Sequence, residues 1–274
     1  MKTQNKNAFT LIELLVVISI IAMLLSILMP ALSAVKDQAR RVVCMANLSQ
    51  WGLILTLYTE DHNSHFFAGY YDYTDPNDVT YTSSDSDLWP YALQSYYQTP
   101  KLKFCPSSGF SRRGRSSSTW GSESDEIFSG SYGLNGWVGD TPKEVLQTEG
   151  HDTANSWRTM DHFGSSKIPL MADALWYTGR PESHDQPPEE EGQLDSDESQ
   201  PDIDFDDWPN DSSNHMRRFS VNRHREKLNV LLMDGTIKSI SPKELWLLKW
   251  HKNYDTLVPL PEWPEWMSSF KDPD

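Results

Sequence analysis

Residues 8–32 read Ala8-Phe9-Thr10-Leu11-Ile12-Glu13 followed by LLVVISIIAMLLSILMPAL. From Leu14 to Val35 no residue carries a charge. At about 1.5 Å per residue that run makes about 33 Å of helix, roughly one bilayer core. A secretory signal peptide is the rival reading, because Ala31, Ser33 and Ala34 mimic a small-residue cleavage site. Its apolar region would be shorter, however. Positive charges do not orient the span, since Lys2 and Lys6 precede it and Lys36, Arg40 and Arg41 follow it. Glu13 is the unusual residue. A lone carboxylate at the edge of the hydrocarbon costs about 2–3 kcal/mol on insertion scales, and a chain needing only an anchor has no use for it.

The helix is expected to outlast the membrane. Beyond Pro30, the apolar residues Val35, Ala39, Val42, Val43, Ala46, Leu53 and Leu57 recur at helical spacing, with Lys36, Asp37, Gln38, Arg40 and Arg41 between them. The reading is one helix from about Phe9 to Tyr58, half in the bilayer and half packed on a head through this stripe. Pro30 bends it rather than ending it, and Gly52 weakens it locally by about 1 kcal/mol relative to Ala. The residues divide as 1–8, ahead of the helix; 9–33, the membrane helix; 34–60, its amphipathic continuation; and 61–274, the head.

The chain has 274 residues, a formal net charge of −15 and a mean hydropathy of −0.59. One span, not several, fits that hydropathy, and an acidic chain lacks the basic footprint of a nucleic-acid binder. The charge is local. Residues 181–216 hold 13 carboxylates and no Lys or Arg, leaving −2 for the rest. This insert reads as a solvated loop whose side chains the flanking strands do not need. Within it, Asp202, Asp204 and Asp206 alternate like a calcium loop, but Asp207 and Ser213 stand where an EF-hand needs Gly and Glu. No cofactor and no metal are expected, with a weak irregular calcium site at Asp202, Asp204 and Asp206 as the exception.

Other segments have local structural meaning. Leu228–Met233 reads as an apolar strand, Asp234-Gly235 as a two-residue type I′ turn, and Thr236–Ile240 as the returning strand. Lys167–Tyr177 reads as another strand. Ser241-Pro242-Lys243-Glu244 is a capping box opening a helix through Trp250. His224, beside Arg223 and Arg225, reads as a packed or surface histidine rather than a site residue. Two cysteines exclude a four-cysteine zinc site. Outside the cytoplasm, Cys44 and Cys105 can oxidise, closing a loop worth about 4 kcal/mol in the chain-entropy model; two buried thiols are the alternative. The eleven Trp are assigned mostly to the core. No HExxH, GxSxG, P-loop or Rossmann glycine pattern occurs, so no enzyme is expected and no catalytic residue is assigned.

The string AFTLIELLVVISIIAMLLSILMPAL resembles the N-terminus of type IV pilins and type II secretion pseudopilins. The resemblance implies that a prepilin peptidase cuts between Ala8 and Phe9 and that the new N-terminus, Phe9, is methylated. It implies that Glu13 meets the N-terminal amine of a neighbouring subunit during assembly, and that Pro30 lies where family helices bend. The family usually has Gly before the cut; here it is Ala8. A second resemblance, to large pseudopilin-like proteins, rests on Cys44–Gly52, Phe104-Cys105-Pro106-Ser107, Ser131–Asn135, and His224 with Asp234-Gly235 in the H-x9-DG spacing that names the subgroup. Both imply an α+β, pilin-like fold: a long N-terminal helix packed on an antiparallel β-sheet head. The implied function is a non-catalytic subunit of a type II secretion pseudopilus or type IV pilus-like structure. It would sit in the inner membrane by one span, its head periplasmic or extracellular. Its implied partners are prepilin peptidase, other pilin or pseudopilin subunits, and membrane lipid. An anchored binding module, capturing glycans or other ligands on exposed aromatics, is the alternative; an anchored hydrolase ranks below it.

Overall fold

The computed structural model describes residues 11–69, 88–109, 117–121, 127–143, 146, 152–162, 165–193 and 214–273. They form two compact units, residues 1–40 and residues 41–274. Helix α1 (Leu11–Asp61) contains Pro30 without ending there. In the first unit its apolar side chains are exposed, from Leu11 through Leu32 and Val35. It is long and apolar enough to cross a membrane by length and composition. The far end closes with Asn63 and Ser64 in the left-handed region and the Ser64 N–H donating to the Thr59 carbonyl at 2.7 Å. That left-handed cap takes up an orphan carbonyl.

In the second unit, residues 41–61 of α1 pack on the head through Cys44, Leu48, Trp51, Ile54, Leu55 and Tyr58. This corrects the expected stripe. Val42 (54 % exposed), Leu53 (65 %) and Leu57 (51 %) face outward. At about 100° per residue, Val42, Ala46, Leu53 and Leu57 lie roughly half a turn from Cys44, Leu48, Trp51 and Leu55. The segment carries two apolar stripes, and periodicity does not say which one the head covers. The head takes the face that carries Trp51. The indole of Trp51 donates to the Leu102 carbonyl at 3.2 Å and meets Trp89 edge to face at 5.2 Å. Gly52 has its own reason to be small, because a Cβ there would come within 3.2 Å of Leu231 Cδ1 on the sheet.

The head contains a two-stranded ribbon, β1 (Trp120–Gly121) with β2 (Ser129–Gly130), and a five-stranded sheet. The sheet strands are β3 (Tyr132–Asn135), β4 (Pro169–Asp173), β5 (Thr178–Gly179), β6 (Leu228–Leu232) and β7 (Ile237–Ile240), in the order β5-β3-β4-β6-β7. Strands β3, β4 and β6 are buried along their length, as strands covered on both faces are. The pairs β3–β4, β4–β6 and β6–β7 are antiparallel. Edge strand β5 runs parallel to β3, so the expected all-antiparallel sheet needs that one correction. The expected strand Lys167–Tyr177 is shorter: it ends at Asp173, and a bend carries the chain over to β5.

Two turn expectations also change. The β6–β7 connection is a three-residue loop in which Gly235 alone, at φ 80°, is left-handed; Asp234 has no positive φ, so a type I′ turn is excluded. The Gly235 N–H donates to the Leu232 carbonyl (2.9 Å), and Asp234 accepts from the N–H and hydroxyl of Thr236. This is the longer hairpin class with its glycine at the bulge. The capping box at Ser241 and Glu244 forms, but it opens a 3-10 helix, Pro242–Leu247, which ends where Leu248 turns to extended backbone.

Of ten described tryptophans, eight are buried and Trp263 and Trp266 are half-buried. Seven of the buried eight donate to backbone carbonyls: Trp51 to Leu102, Trp89 to Tyr177, Trp120 to Tyr132, Trp137 to Pro181, Trp157 to Trp250, Trp246 to Asp185 and Trp250 to Leu245. The strands of this head are short, so many interior carbonyls lie outside the ladders and need donors. An indole supplies one while filling a large volume.

These indoles also correct the boundaries of the acidic insert. Pro181, Asp185, Pro187 and Pro188 are buried, and Trp137, Trp246 and Trp266 donate to carbonyls of Pro181, Asp185 and Pro188. Residues 181–193 are therefore part of the head's packing; residues 194–213, including Asp202, Asp204 and Asp206, lie outside the described residues. Burial pushes the Asp185 carboxyl up to about 7, against the N–H donors of Met216 and Glu182. His184 favours its charge and Glu182 opposes it, while Glu182 itself pairs with His251 at 2.9 Å. Nearby Tyr254 is raised by burial first and then by Asp185 and Glu182. An unfolded Asp titrates near 3.9. Between about 4 and about 7 the folded chain keeps a proton that the unfolded chain has lost, so stability falls as pH rises through that window. Asp185→Asn retains an acceptor and removes the slope. Denaturant unfolding of the detergent-solubilised chain between pH 4 and 8 should show the variant gaining up to about 4 kcal/mol relative to wild type at pH 8. A parallel pH dependence in both proteins would refute it.

Candidate functional site

Three groups of residues bear on function. The first is the N-terminal segment. The processing pair Ala8 and Phe9 lies outside the described residues. Glu13 stands in the first turn of α1, where the helix dipole favours an anionic side chain. Pro30 is internal to the helix. The second is the outward face of residues 42–57, where Val42, Ala46, Leu53 and Leu57 leave apolar surface uncovered by the head.

The third is a buried cluster that local sequence does not bring together. The head-facing side of α1 supplies Cys44. The loop after the 3-10 turn Pro100–Lys103 supplies Cys105, the C-terminal end of β4 supplies Asp173, and the approach to β6 supplies His224. One ligand-type atom from each lies within 4.8 Å of the others, and all four residues are buried. Cys44 Sγ is 3.4 Å from Asp173 Oδ1 and 3.7 Å from Oδ2. Cys105 Sγ is 3.4 Å from His224 Nε2, which is 3.3 Å from Asp173 Oδ2. The expected Cys44–Cys105 neighbours are thus brought together, as two buried thiols rather than a formed bridge.

A further ring of donors surrounds the four. The Tyr132 hydroxyl donates to Cys44 Sγ at 3.4 Å, the Ser107 N–H to Cys105 Sγ at 3.4 Å, and the Asn229 N–H to Asp173 Oδ2 at 2.8 Å. Ser107 Oγ faces His224 Nδ1 at 3.5 Å. Arg223, with a fully buried side chain, reaches Asp173 Oδ1 at 3.5 Å and donates to the carbonyls of Ser131, Ser118 (2.8 Å) and Ala174 (2.6 Å). The loop that aims Arg223 and His224 has Arg225 and Glu226 left-handed, and the His224 N–H donates to the Lys227 carbonyl at 3.0 Å.

Ionisation follows from this packing. Burial and its neighbours hold the Cys44 thiol far above its usual range. The hydrogen bond from Cys44 brings Cys105 down to about 6 against its own burial, with help from His224 and Arg223. Burial would raise Asp173, but His224 and Arg223 outweigh it and hold the carboxyl below its usual range. Burial would lower His224, but Asp173 and Cys105 raise it to about 9. The packing thus favours the charged forms of Asp173 and His224 and keeps the Cys44 thiol protonated.

His224 is packed, as expected, but it does not meet Asp234 and Gly235, which sit at the exposed hairpin tip. The two ends of that spaced element have separate structural reasons. Sequence reasoning missed Asp173. Its signal was an acid closing the apolar run Pro169-Leu170-Met171-Ala172, a position that demands a buried partner.

Residues 3–29 match the family model described as the Prokaryotic N-terminal methylation motif. A similar curated protein is the Type IV wide pilus major component PilA4 of Thermus thermophilus, 42 % identical over 62 residues. The match covers 23 % of this chain and 47 % of that protein, so this chain spans about half the length of the curated relative it matches. No solved structure matches the chain. The methylation motif, the similarity to a pilus component over 62 residues, and the membrane-length helix followed by an α+β head support a pilin-like reading of the chain.

Proposed function

We propose that the chain is a membrane-anchored, non-catalytic subunit of a type IV pilus-like structure or type II secretion pseudopilus. It is cut between Ala8 and Phe9 by a prepilin peptidase, methylated at Phe9, and carries its head outside the cytoplasm. The observation that carries this reading is the uncovered apolar face of α1 downstream of the methylation motif. Exposed Val42, Ala46, Leu53 and Leu57 are useless to a monomer in water, and contiguous apolar surface of this kind marks an interaction site. The N-terminal helices of neighbouring subunits are the occupants that fit. An aromatic capture surface has less support, since no described tryptophan is exposed.

The test is Leu53→Lys. The side chain is 65 % exposed, so head stability should change by less than about 0.5 kcal/mol. Processing should be unchanged, while recovery in sheared or cross-linked assemblies should fall at least tenfold. Normal assembly of the variant would remove the support that the uncovered face lends to this reading.

A further inference from the structure

We propose that Cys44, Cys105, Asp173 and His224 hold one zinc-type divalent metal ion inside the head, clamping α1 to the sheet. The donor set is two sulfurs, one imidazole nitrogen and one carboxylate oxygen, the four-coordinate chemistry that zinc prefers. A tetrahedral zinc with bonds of about 2.3 Å to sulfur and about 2.0–2.1 Å to nitrogen and oxygen sets its ligand atoms about 3.3–3.8 Å apart. Three edges of the cluster are 3.4 Å for Cys105–His224, 3.3 Å for His224–Asp173, and 3.7 Å for Cys44 to the same carboxylate oxygen. These three edges are at the length that the ion needs, and no other pair of the four ligand atoms is more than 4.8 Å apart.

The surroundings fit as well. Ligating groups need outer partners that orient them, and each has one here: Tyr132 on Cys44, the Ser107 N–H on Cys105, the Asn229 N–H on Asp173, and Ser107 Oγ opposite His224 Nδ1. Charge balances too. Two thiolates, one carboxylate and a divalent ion leave −1, and the buried guanidinium of Arg223 beside Asp173 neutralises it. A groove of about 710 Å³, lined in part by Asn47, Phe104 and Pro106, reaches Cys105 and offers an entry path. A simple disulfide explains the two cysteines, but it gives no reason for an imidazole and a carboxylate to converge on the same point. The ligands come from α1, the 105 loop, β4 and the β6 approach, so one ion would tie four separate segments.

The test uses the full chain, purified in detergent under reducing conditions. Elemental analysis should find one zinc per chain. Replacement by Co²⁺ should produce thiolate-to-metal charge-transfer and tetrahedral ligand-field bands. Zinc should raise the melting temperature, and chelation should lower it. Cys105→Ser, a near-isosteric change, should weaken zinc binding by more than tenfold and reduce the charge-transfer intensity. Should that variant not fold, the Co²⁺ spectrum of the wild type, which reports two thiolates directly, decides alone. Absence of both bound zinc and Co²⁺ bands overturns the proposal. So does a Cys44–Cys105 disulfide in protein taken from its own membranes with thiols trapped, whatever the reduced chain binds afterwards.

Discussion

Glu13→Gln is expected to leave the chain inserted and cut, yet to deplete it at least tenfold from assembled material. Glu13 lies in the first turn of α1, at the edge of an apolar run that is exposed throughout the first unit. A carboxylate there is costly to insert, and Gln is cheaper, so the anchor itself should improve. What Gln cannot do is pair with a positive charge. On the proposed reading, cleavage before Phe9 creates that charge as a new amine on the next subunit, and Glu13 meets it in the assembly. A charge-assisted contact in a low-dielectric setting is worth far more than one in water. Processed, membrane-extracted and assembled fractions of wild type and variant should be compared, with mass spectrometry of the mature N-terminus. The expected species begins at Phe9 with an N-methyl group in both proteins. If the two partition identically among the fractions, assembly does not use Glu13, and the anchored binding module becomes the better account.

Arg223→Ala should unfold the head or come close to it. The Arg223 side chain is fully buried, and its guanidinium serves the carbonyls of Ser131, Ser118 and Ala174 as well as Asp173. Truncation removes a donor from three carbonyls, of which that of Ser131 keeps the Ala174 N–H, and leaves a buried carboxylate with His224 as its remaining charged neighbour. Removing one partner of a buried pair costs about 3–5 kcal/mol, and orphaned acceptors add to it. Against a typical stability of about 5–15 kcal/mol, that is most of what a domain has. Arg223→Lys should recover little, because one ammonium cannot fork to carbonyls on three segments. Urea unfolding followed by tryptophan fluorescence reads the effect. A loss below about 1 kcal/mol would show that the network relaxes around the gap and is not what holds β3, β4 and the ribbon together.

Much of the fold was legible along the chain because it rests on short-range physics. An uncharged apolar run long enough to span a bilayer reads as a helix whatever follows, and Pro30 does not interrupt it. The strand Leu228–Leu232, the glycine of its hairpin and the Ser241–Glu244 capping box are each set by residues a few positions apart. The turn class escaped because Asp-Gly fits two loop geometries; here Asp234 hydrogen-bonds to Thr236, and Gly235 alone takes the positive φ. The 3-10 form of Pro242–Leu247 escaped because the chain must turn inward to bury Trp250.

What the sequence by itself determined is therefore the membrane-length apolar helix, the methylation motif at its start, and the presence of an α+β head. Tertiary structure decided the rest. Residues 42–57 of α1 bear two apolar stripes of equal periodicity, and only docking selected the Trp51 face, leaving Leu53 and Leu57 uncovered. Cys44 meets Asp173 across 129 positions, and Cys105 meets His224 across 119. No local pattern encodes those separations. A buried carboxylate is tolerable only where other segments deliver its partners, so the cluster exists because the sheet, the helix and two loops close on one point.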